Sequence, residues 1–382
     1  MRGNTQRSSS RLALAGSAVV CALLAACGAG TGGGPSGEFS DFLYGVNAGG
    51  SISGFSIDAE TGALTEVPGS PFPTEGVPWS VAVDAGGRLA YVATPNPPVS
   101  ATIMPYAIDP ATGALTELAG PRFRAEDGPV AVVAAPSGKF IYTVGLMTWA
   151  VSAYSSNGGI LRELLGSPYA AGMGPLDLAV SPSGRFVYVA NTSSSTISAF
   201  SVLGGTGELR EAAGSPYAAG SFPCSIRVAP SGRFVLAANH DGQDVSVFRI
   251  DEDTGGLAEV PGSPAAAGPG ACAVGLDPQG RFVYVANEWA DNVSGFTLDG
   301  TTGALSPVPG SPFSAGWVPY AVAVSPSGRF VYVPNFNSGD LSAYAIDQAT
   351  GALTELAGSP YELGLSPRAI AAVRIAREAA GR

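Results

Sequence analysis

Phe186-Val-Tyr-Val-Ala-Asn191 recurs as Phe282-Val-Tyr-Val-Ala-Asn287 and, with small changes, at five further places in the chain. The other copies are Phe42-Leu-Tyr-Gly-Val-Asn47, Leu89-Ala-Tyr-Val-Ala-Thr94, Phe140-Ile-Tyr-Thr-Val-Gly145, Phe234-Val-Leu-Ala-Ala-Asn239 and Phe330-Val-Tyr-Val-Pro-Asn335. Their starts are separated by 47, 51, 46, 48, 48 and 48 residues. A period of this length, filled with strand and turn patterns, is typical of a propeller blade. We therefore predict an all-β, seven-bladed β-propeller.

Each repeat contains four predicted strands, as the unit 175–216 illustrates. A short apolar strand at 178–180 is followed by a Pro-Ser-Gly turn and a second apolar strand at 186–190. The alternating segment 196–202 has the period of a half-buried strand, and a short outer strand follows at 208–212. Short connections between four such strands predict one antiparallel blade.

The two ends of the chain are expected to share a blade. The first repeat opens with a second-type strand at Phe42, and the last predicted strand, Pro367-Arg-Ala-Ile-Ala-Ala-Val373, is of the first type. Seven strands of each type result only if this C-terminal strand becomes the innermost strand of blade one, which also removes exposed edges. The predicted propeller spans 41–375 and leaves 376–382 as a tail.

Residues 1–26 have the pattern of an export signal. Three arginines precede an apolar run over 12–24, which is too short to span a bilayer. The run ends in Leu24-Ala-Ala-Cys27, which resembles the cleavage and lipidation box of bacterial lipoproteins. That resemblance implies a lipidated Cys27, a Gly-rich flexible tether over 27–40, and a place in the cell envelope, on the periplasmic or extracellular side. An ordinary signal peptide with an incidental Cys27 is the alternative.

The mature chain would be acidic. Removing 1–26 takes away three of 19 basic residues and none of 30 acidic ones, so 16 against 30 gives a net charge of −14. With Lys139 as its only lysine, the chain is a poor candidate for binding nucleic acid or anionic lipid, or for lysine-based catalysis. We expect a monomer without a cofactor, attached to the membrane only through its lipid.

The two faces of the propeller differ in how their loops vary. Connections from first to second strand repeat Pro-Ser-Gly, and those from third to fourth repeat an Asp followed by Thr-Gly, which is turn chemistry. On the opposite face, the second-to-third and outer-to-inner connections diverge between copies. Varied loops on a rigid scaffold are where binding residues usually lie, so we expect an unknown small molecule or protein to bind this variable face.

His240 is the only histidine, and acidic residues surround it in the sequence. Asp241 and Asp244 share its loop, and the corresponding loop of the next blade carries Glu288 and Asp291. One imidazole among four carboxylates could perform general acid–base catalysis or hold a cation. A solvated acidic loop is the alternative.

Arg227 stands at an inner-strand position where the other copies have small or apolar residues. A charge near the crowded centre needs a carboxylate partner, and Asp177 on the adjoining blade is the candidate. The pair could be an ion pair that locks two blades, or it could form part of an anion site at the channel.

Cys224 and Cys272 occupy equivalent positions on adjacent inner strands, eight residues before Gly232 and Gly280. Ring geometry places their Cα atoms roughly 6 Å apart, within the range of a disulfide. Export would supply an oxidising compartment, so a disulfide and two free buried thiols both remain open.

The repeated strand, the Pro-Ser-Gly-Arg turn and the Thr-Gly-Ala-Leu loop resemble those of lactonase-type seven-bladed propellers over residues 41–375. That family includes bacterial 6-phosphogluconolactonase and grades into non-enzymatic Tyr-Val-Thr-Asn repeat propellers. Asn287-Glu288 resembles an Asn-Glu pair of the lactonases, and Arg368 resembles the Arg of their Gly-Pro-Arg-His segment. Here Ala369 replaces that His.

Two functions are compatible with this sequence. We favour an exported, lipid-anchored binding or interaction propeller, because of the departure at Ala369 and because fold alone does not establish activity. The alternative is a lactonase-family hydrolase that opens a small cyclic ester. In it, His240 or Glu288 would act as the base, and Arg227 or Arg368 would hold a carboxylate or the developing oxyanion.

Overall fold

A computed structural model describes residues 21–23, 39–95, 101–118, 123–125 and 128–376. Seven β-sheets form seven blades in a ring, and the last strand of the chain completes the first blade. The predicted all-β, seven-bladed fold and its closure are confirmed. Within the described residues, no helix is long and apolar enough to cross a bilayer.

Blade one combines both ends of the chain, and blades two to seven follow in sequence order. The first, innermost strands are Pro367–Ala376, Ser80–Val83, Pro129–Ala134, Pro175–Val180, Pro223–Val228, Ala271–Leu276 and Ala323–Val324. The second strands are Phe39–Asn47, Leu89–Thr94, Phe140–Gly145, Phe186–Asn191, Phe234–Asn239, Phe282–Asn287 and Phe330–Asn335. The third strands are Ser51–Ile57, Thr102–Ile108, Ala150–Asn157, Thr196–Val202, Asp244–Ile250, Asn292–Leu298 and Asp340–Ile346.

The outer edge of each blade consists of two short pieces, where the sequence predicted one strand. The fourth strands are Leu64–Glu66, Leu115–Glu117, Ile160–Glu163, Leu209–Glu211, Leu257–Glu259, Leu305–Pro307 and Leu353–Glu355. A two-residue segment then pairs with the other end of the third strand: Phe72–Pro73, Phe123–Arg124, Tyr169–Ala170, Tyr217–Ala218, Ala265–Ala266, Phe313–Ser314 and Tyr361–Glu362. In six blades the Ser–Pro bond between the two pieces is cis.

Blade one is closed by a long antiparallel ladder between Phe39–Asn47 and Pro367–Ala376. Across it, the guanidinium of Arg374 donates two hydrogen bonds to the carboxylate of Asp41, at 2.7 and 2.8 Å. The ladder extends slightly beyond the predicted limits of 41 and 375. Fixed bidentate geometry makes this ion pair stronger than a single contact between exposed charges.

The segment predicted to be the export signal contains a three-residue strand, Cys21–Leu23. This strand pairs in parallel with Ile370–Ala372 of blade one. Cys27 and most of the predicted tether lie outside the described residues, as does the tail from 377 onwards. The signal peptide, the lipidation and the tether therefore remain predictions.

A repeated contact joins each blade to the next. The second-strand tyrosine donates a hydrogen bond to the carbonyl of the Thr-Gly glycine on the following blade, at 2.7–3.0 Å. The pairs are Tyr44–Gly113, Tyr142–Gly207, Tyr188–Gly255, Tyr284–Gly351 and Tyr332–Gly62. The second-strand phenylalanine two residues earlier packs its ring against the same glycine, so closely that a Cβ there would clash. We call this contact the Tyr–Gly lock.

The two junctions without the lock follow from the sequence. Tyr91 of blade two faces blade three, whose loop lacks Thr-Gly, and it bonds instead to the Ser156 hydroxyl at 2.7 Å. Blade five carries Leu236 in place of the tyrosine, yet the Phe234 ring still packs on Gly303. The apolar part of the contact is therefore retained where the hydrogen bond is lost.

Five of the six Thr-Gly loops begin with an Asp, which caps the loop backbone. Asp251 Oδ1 accepts hydrogen bonds from the backbone N–H groups of Asp253 and Thr254, and from the Thr254 hydroxyl. These bonds lower the pKa of the Asp251 carboxyl. The predicted turn chemistry is confirmed, and no cluster of three metal-ligating side chains is found in the described part of the chain.

Gly351→Ala tests the lock, because this glycine has φ +78° and faces the Phe282 ring. Gly262 is the matched control, with φ +87° and no atom within 4 Å of an added Cβ. Left-handed backbone costs alanine about 1–2 kcal/mol at either site, and overpacking adds about 1–3 kcal/mol at Gly351 alone. We expect the thermal midpoint to fall clearly further for Gly351→Ala. Equal losses in the two variants would contradict the lock.

Candidate functional site

The loops of the variable face start from a fixed point at the end of each second strand. Asn287 Nδ2 donates to Asn292 Oδ1 at 2.7 Å and to Ser294 Oγ at 2.9 Å. Asn239 makes the same pair of bonds in blade five, to Asp244 and Ser246. The residue after each Asn is thereby placed at the mouth of the channel, and those residues are His240 and Glu288.

His240 and Glu288 are equivalent residues of adjacent blades, and their side chains meet. His240 Nε2 lies 3.2 Å from Glu288 Oε2, and Nδ1 lies 2.9 Å from Asp241 Oδ1. The His240 side chain is only 4% exposed, whereas that of Glu288 is 15% exposed and that of Asp241 is 54% exposed. Of the two candidate bases, Glu288 is therefore the more accessible to a ligand or water.

Two aromatic rings enclose the imidazole of His240. Trp289 contacts it edge-on with ring centroids 4.3 Å apart, and the Phe222 ring lies 5.7 Å away. Phe222 takes φ +58°, a left-handed conformation that recurs at the equivalent positions Gly270 and Val318. This backbone therefore belongs to the turn of the repeat, and it places the Phe222 ring beside the imidazole.

Burial and hydrogen bonding shift the pKa of His240 in opposite directions. Desolvation lowers it, but the hydrogen bonds and the negative charges of Glu288 and Asp241 outweigh burial and raise it above 6.5. The folded pKa thus exceeds the unfolded one. The array therefore stabilises the protein fully below about pH 6.5, and this contribution is lost as the pH rises through the folded pKa.

The other two carboxylates expected beside His240 accept hydrogen bonds from other residues. Asp244 accepts the Asn239 hydrogen bond, and Asp291 Oδ1 accepts the backbone N–H of Val318 at 2.8 Å. The predicted cluster of four acids is therefore an array of two, Asp241 and Glu288, on either side of His240.

Arg227 and Asp177 form a buried ion pair between blades five and four, with Nη1 2.7 Å from Oδ2. The carboxylate also accepts the N–H groups of Leu178 and Ile226. Burial raises the pKa of Asp177, against the opposing effect of the Arg227 charge. The structure thus brings together the two residues that the sequence paired.

Arg368 lies in another sector of the same mouth, at the start of the innermost strand of blade one. Its guanidinium stacks over Trp79 at 4.5 Å and over Phe336 at 5.5 Å from the ring centroids. Burial lowers its pKa, although the charge remains at any ordinary pH. The structure therefore does not group the four candidate residues into one cluster: His240 and Glu288 touch, while Arg227 and Arg368 have separate partners.

The disulfide considered from the sequence is not formed, and Cys224 and Cys272 are free buried thiols. Cys224 Sγ points at the Cys272 carbonyl, 3.2 Å away, while Cys272 Sγ points onward at the Pro319 carbonyl, 3.3 Å away. Equivalent side chains in a ring point the same way round it, so they cannot face each other. The Cα spacing of equivalent positions allows a bridge, but the direction of their side chains prevents it.

The aromatic partners of the charged groups were not predicted from the sequence. Trp289 directly follows Glu288, Phe222 precedes the opening proline of blade five, and Phe336 follows the Asn of blade seven. Each stands in a connection of the variable face, and Trp289 directly adjoins a predicted site residue. Aromatic residues in the connections of the variable face could have predicted these contacts.

The pKa of His240 can be measured directly, because it is the only histidine. The carbon-bound imidazole protons of tag-free protein, followed by NMR from pH 5.5 to 9, should titrate with an apparent pKa above 6.5. Glu288→Gln should lower that pKa, because it removes one carboxylate and leaves the burial. Glu252→Gln, on an exposed loop of the opposite face, should leave it unchanged. A wild-type value at or below 6.5 would be incompatible with the array.

Thiol counting tests the free cysteines. Burial raises the pKa of both thiols, so they should react slowly in the native protein and readily once it is denatured. Denatured, unreduced wild-type protein should show two more titratable thiols than the variant carrying Cys224→Ala and Cys272→Ala. No difference between the two proteins would indicate a bridge.

Comparison with known proteins identifies the family. The family model described as Lactonase, 7-bladed beta-propeller matches residues 100–274 and 260–362, whereas no curated protein matches the sequence. The fold is similar to candidate 6-phosphogluconolactonases of Bacteroides uniformis (19% identity, TM-score 0.77, 88% of this chain and 100% of that one) and Bacteroides fragilis (22%, 0.75, 90% and 100%). It is also similar to a periplasmic gluconolactonase of Pseudomonas aeruginosa (21%, 0.73, 88% and 99%). Since the family match spans more than half of its length, the chain belongs to the seven-bladed lactonase-type β-propeller family.

Proposed function

We propose that this protein is an exported lactonase that opens a small cyclic ester by hydrolysis. The observation that carries the proposal is the hydrogen-bonded array Asp241–His240–Glu288 on the variable face of a lactonase-family propeller. The sequence alone led us to favour a binding protein without turnover. The family match and the array together favour the hydrolase.

The array can accept a proton from water. When neutral His240 donates Nδ1–H to Asp241, its Nε2 lone pair faces Glu288. A proton that Glu288 removes from an attacking water can pass across 3.2 Å to Nε2, which forms an imidazolium held between two carboxylates. Asp241 then plays the orienting role that a third group plays in nucleophile–base–acid arrangements.

Hydrolysis then follows from the water that has lost its proton. Its oxygen bonds to the lactone carbonyl carbon, the ring C–O bond breaks, and the leaving oxygen takes a proton back from the array to give a hydroxy acid. The carbonyl oxygen becomes negative as the water attacks, and a guanidinium in the mouth can stabilise that charge. Arg368, fixed between Trp79 and Phe336, is suited to this role.

The compartment is part of the same proposal. The basic and apolar start of the chain and Leu24-Ala-Ala-Cys27 support export and a lipid on Cys27. The Pseudomonas aeruginosa neighbour is periplasmic and acts on gluconolactone, as its name states, so aldonolactones are the first substrates to test. Export argues against phosphogluconolactone itself, which is a cytosolic intermediate.

A binding role is the second candidate, because of the apolar side chains exposed around the mouth. Six of the large hydrophobic residues that are exposed in the described chain lie in connections of the variable face: Met147, Trp149, Met173, Trp289, Trp317 and Leu365. Exposed apolar side chains concentrated on one face suit a ligand or protein partner. They would serve equally as the wall of a substrate site.

Lactone hydrolysis decides between these candidates. Acid release from glucono-1,5-lactone, followed in a pH-stat above the uncatalysed rate, should have a rate that rises as His240 loses its proton. Loss of the proton acceptor in Glu288→Gln or His240→Gln should lower kcat/KM by about 10²–10⁴-fold. Glu252→Gln is the control that should keep the full rate. If aldonolactones, homoserine lactones and aromatic lactones all show no catalysed rate, or if Glu288→Gln remains fully active, the hydrolase proposal fails.

A further inference from the structure

The guanidinium of Arg227 lies in the lumen of the propeller, along the free edge of its own strand. Its Nη1 donates to the carbonyl of Ile226, and the N–H of Ile226 donates to Asp177 Oδ2 at 2.9 Å. The N–H and C=O of one strand residue point to the same side. Since both groups of Ile226 bind side chains and not the second strand, that side is the edge facing the central axis.

Only one of the three guanidinium nitrogens is used. Nη1 bonds to Asp177 and to Ile226, whereas Nε and Nη2 are buried without a hydrogen-bond partner among the described residues. The residue as a whole is 6% exposed. Nε and Nη2 carry three N–H groups, and two of them, one on each nitrogen, lie parallel along the Nε–Nη2 edge of the plane. Buried charged donors of this kind are costly unless something accepts their hydrogen bonds.

The equivalent positions of the neighbouring inner strands do not supply such an acceptor. The equivalent inner-strand positions of the other six blades are small or apolar: Ala82, Val133, Ala179, Gly275, Ala323 and Ala371. Among these seven equivalent positions, Arg227 therefore carries the one charged side chain, and Asp177 fixes that charge on one side. The arrangement resembles half of a bidentate clamp, in which the Asp177 contact orients the guanidinium and the other edge is left open.

We propose that the Nε–Nη2 edge of Arg227 binds a small carboxylate anion in the lumen. Two parallel N–H groups match the two oxygens of a planar carboxylate, which is the geometry that arginine recognises best. Lactone hydrolysis releases a carboxylate, so a product could occupy this position. The lumen site itself does not rest on the proposed activity, because its evidence is the Arg227 geometry alone.

Acetate and formate are suitable probes, because both are small enough to enter a narrow lumen. Isothermal titration calorimetry at constant ionic strength, with chloride as the balancing anion, should detect one saturable site on the wild-type protein. Asp177→Asn should tighten acetate binding by at least about tenfold, because the neighbouring negative charge is removed. Arg233→Gln, which changes a partly exposed arginine on the opposite face, should bind acetate as the wild type does.

Loss of the site is tested in a variant that does not leave a buried orphan charge. Arg227→Gln alone would strand the Asp177 carboxylate, which is strongly destabilising, so the double variant Asp177→Asn/Arg227→Gln is the better protein. It should fold, as judged by circular dichroism and a cooperative thermal transition, and it should bind neither anion.

Each outcome decides the proposal. It is overturned if folded wild-type and Asp177→Asn proteins both show no saturable acetate or formate binding, or if the folded double variant still binds. Asp177→Asn that binds no more tightly than wild type would also contradict it. The measurement is independent of lactone hydrolysis, so an inactive protein can still support the lumen site, and an active lactonase that ignores acetate would disprove the site alone.

Discussion

The close approach of a phenylalanine ring to the Thr-Gly glycine of the next blade is the contact on which the ring depends. No side chain fits between the two, and the tyrosine two residues later adds a hydrogen bond to the same glycine at five junctions. Blade five, which has Leu236 in place of the tyrosine, keeps the packing. Steric fit therefore sets the blade spacing, and hydrogen bonding reinforces it.

This contact lies on the face of the repeated turns, so the opposite face can vary without disturbing the ring. There, an Asn at the end of the second strand holds the loop at its base in five blades, and the next residue projects into the mouth. His240 and Glu288 occupy that projecting position in neighbouring blades. Their contact arises because the repeat places equivalent residues side by side.

The repeat explains why the fold could be predicted and the site only in part. The seven hexapeptides determined the blade number and the closure, and the 48-residue separation of His240 and Glu288 already implied proximity. Equivalence in sequence does not give side-chain direction, which is why Cys224 and Cys272 were considered as a bridge. Nor does it show which carboxylate already accepts a hydrogen bond elsewhere: Asp244 accepts one from Asn239 of its own blade.

Blade one has a mechanical consequence for a protein held by its N-terminus. The first blade strand in the chain, Phe39–Asn47, is a middle strand, hydrogen-bonded on one side to Ser51–Ile57 and on the other to Pro367–Ala376. A pull on the preceding residues along this strand loads both ladders in shear, so many hydrogen bonds must break together. An edge strand pulled in the same direction would load only one ladder. The blade strand nearest the predicted anchor is thus held by hydrogen bonds along both of its edges.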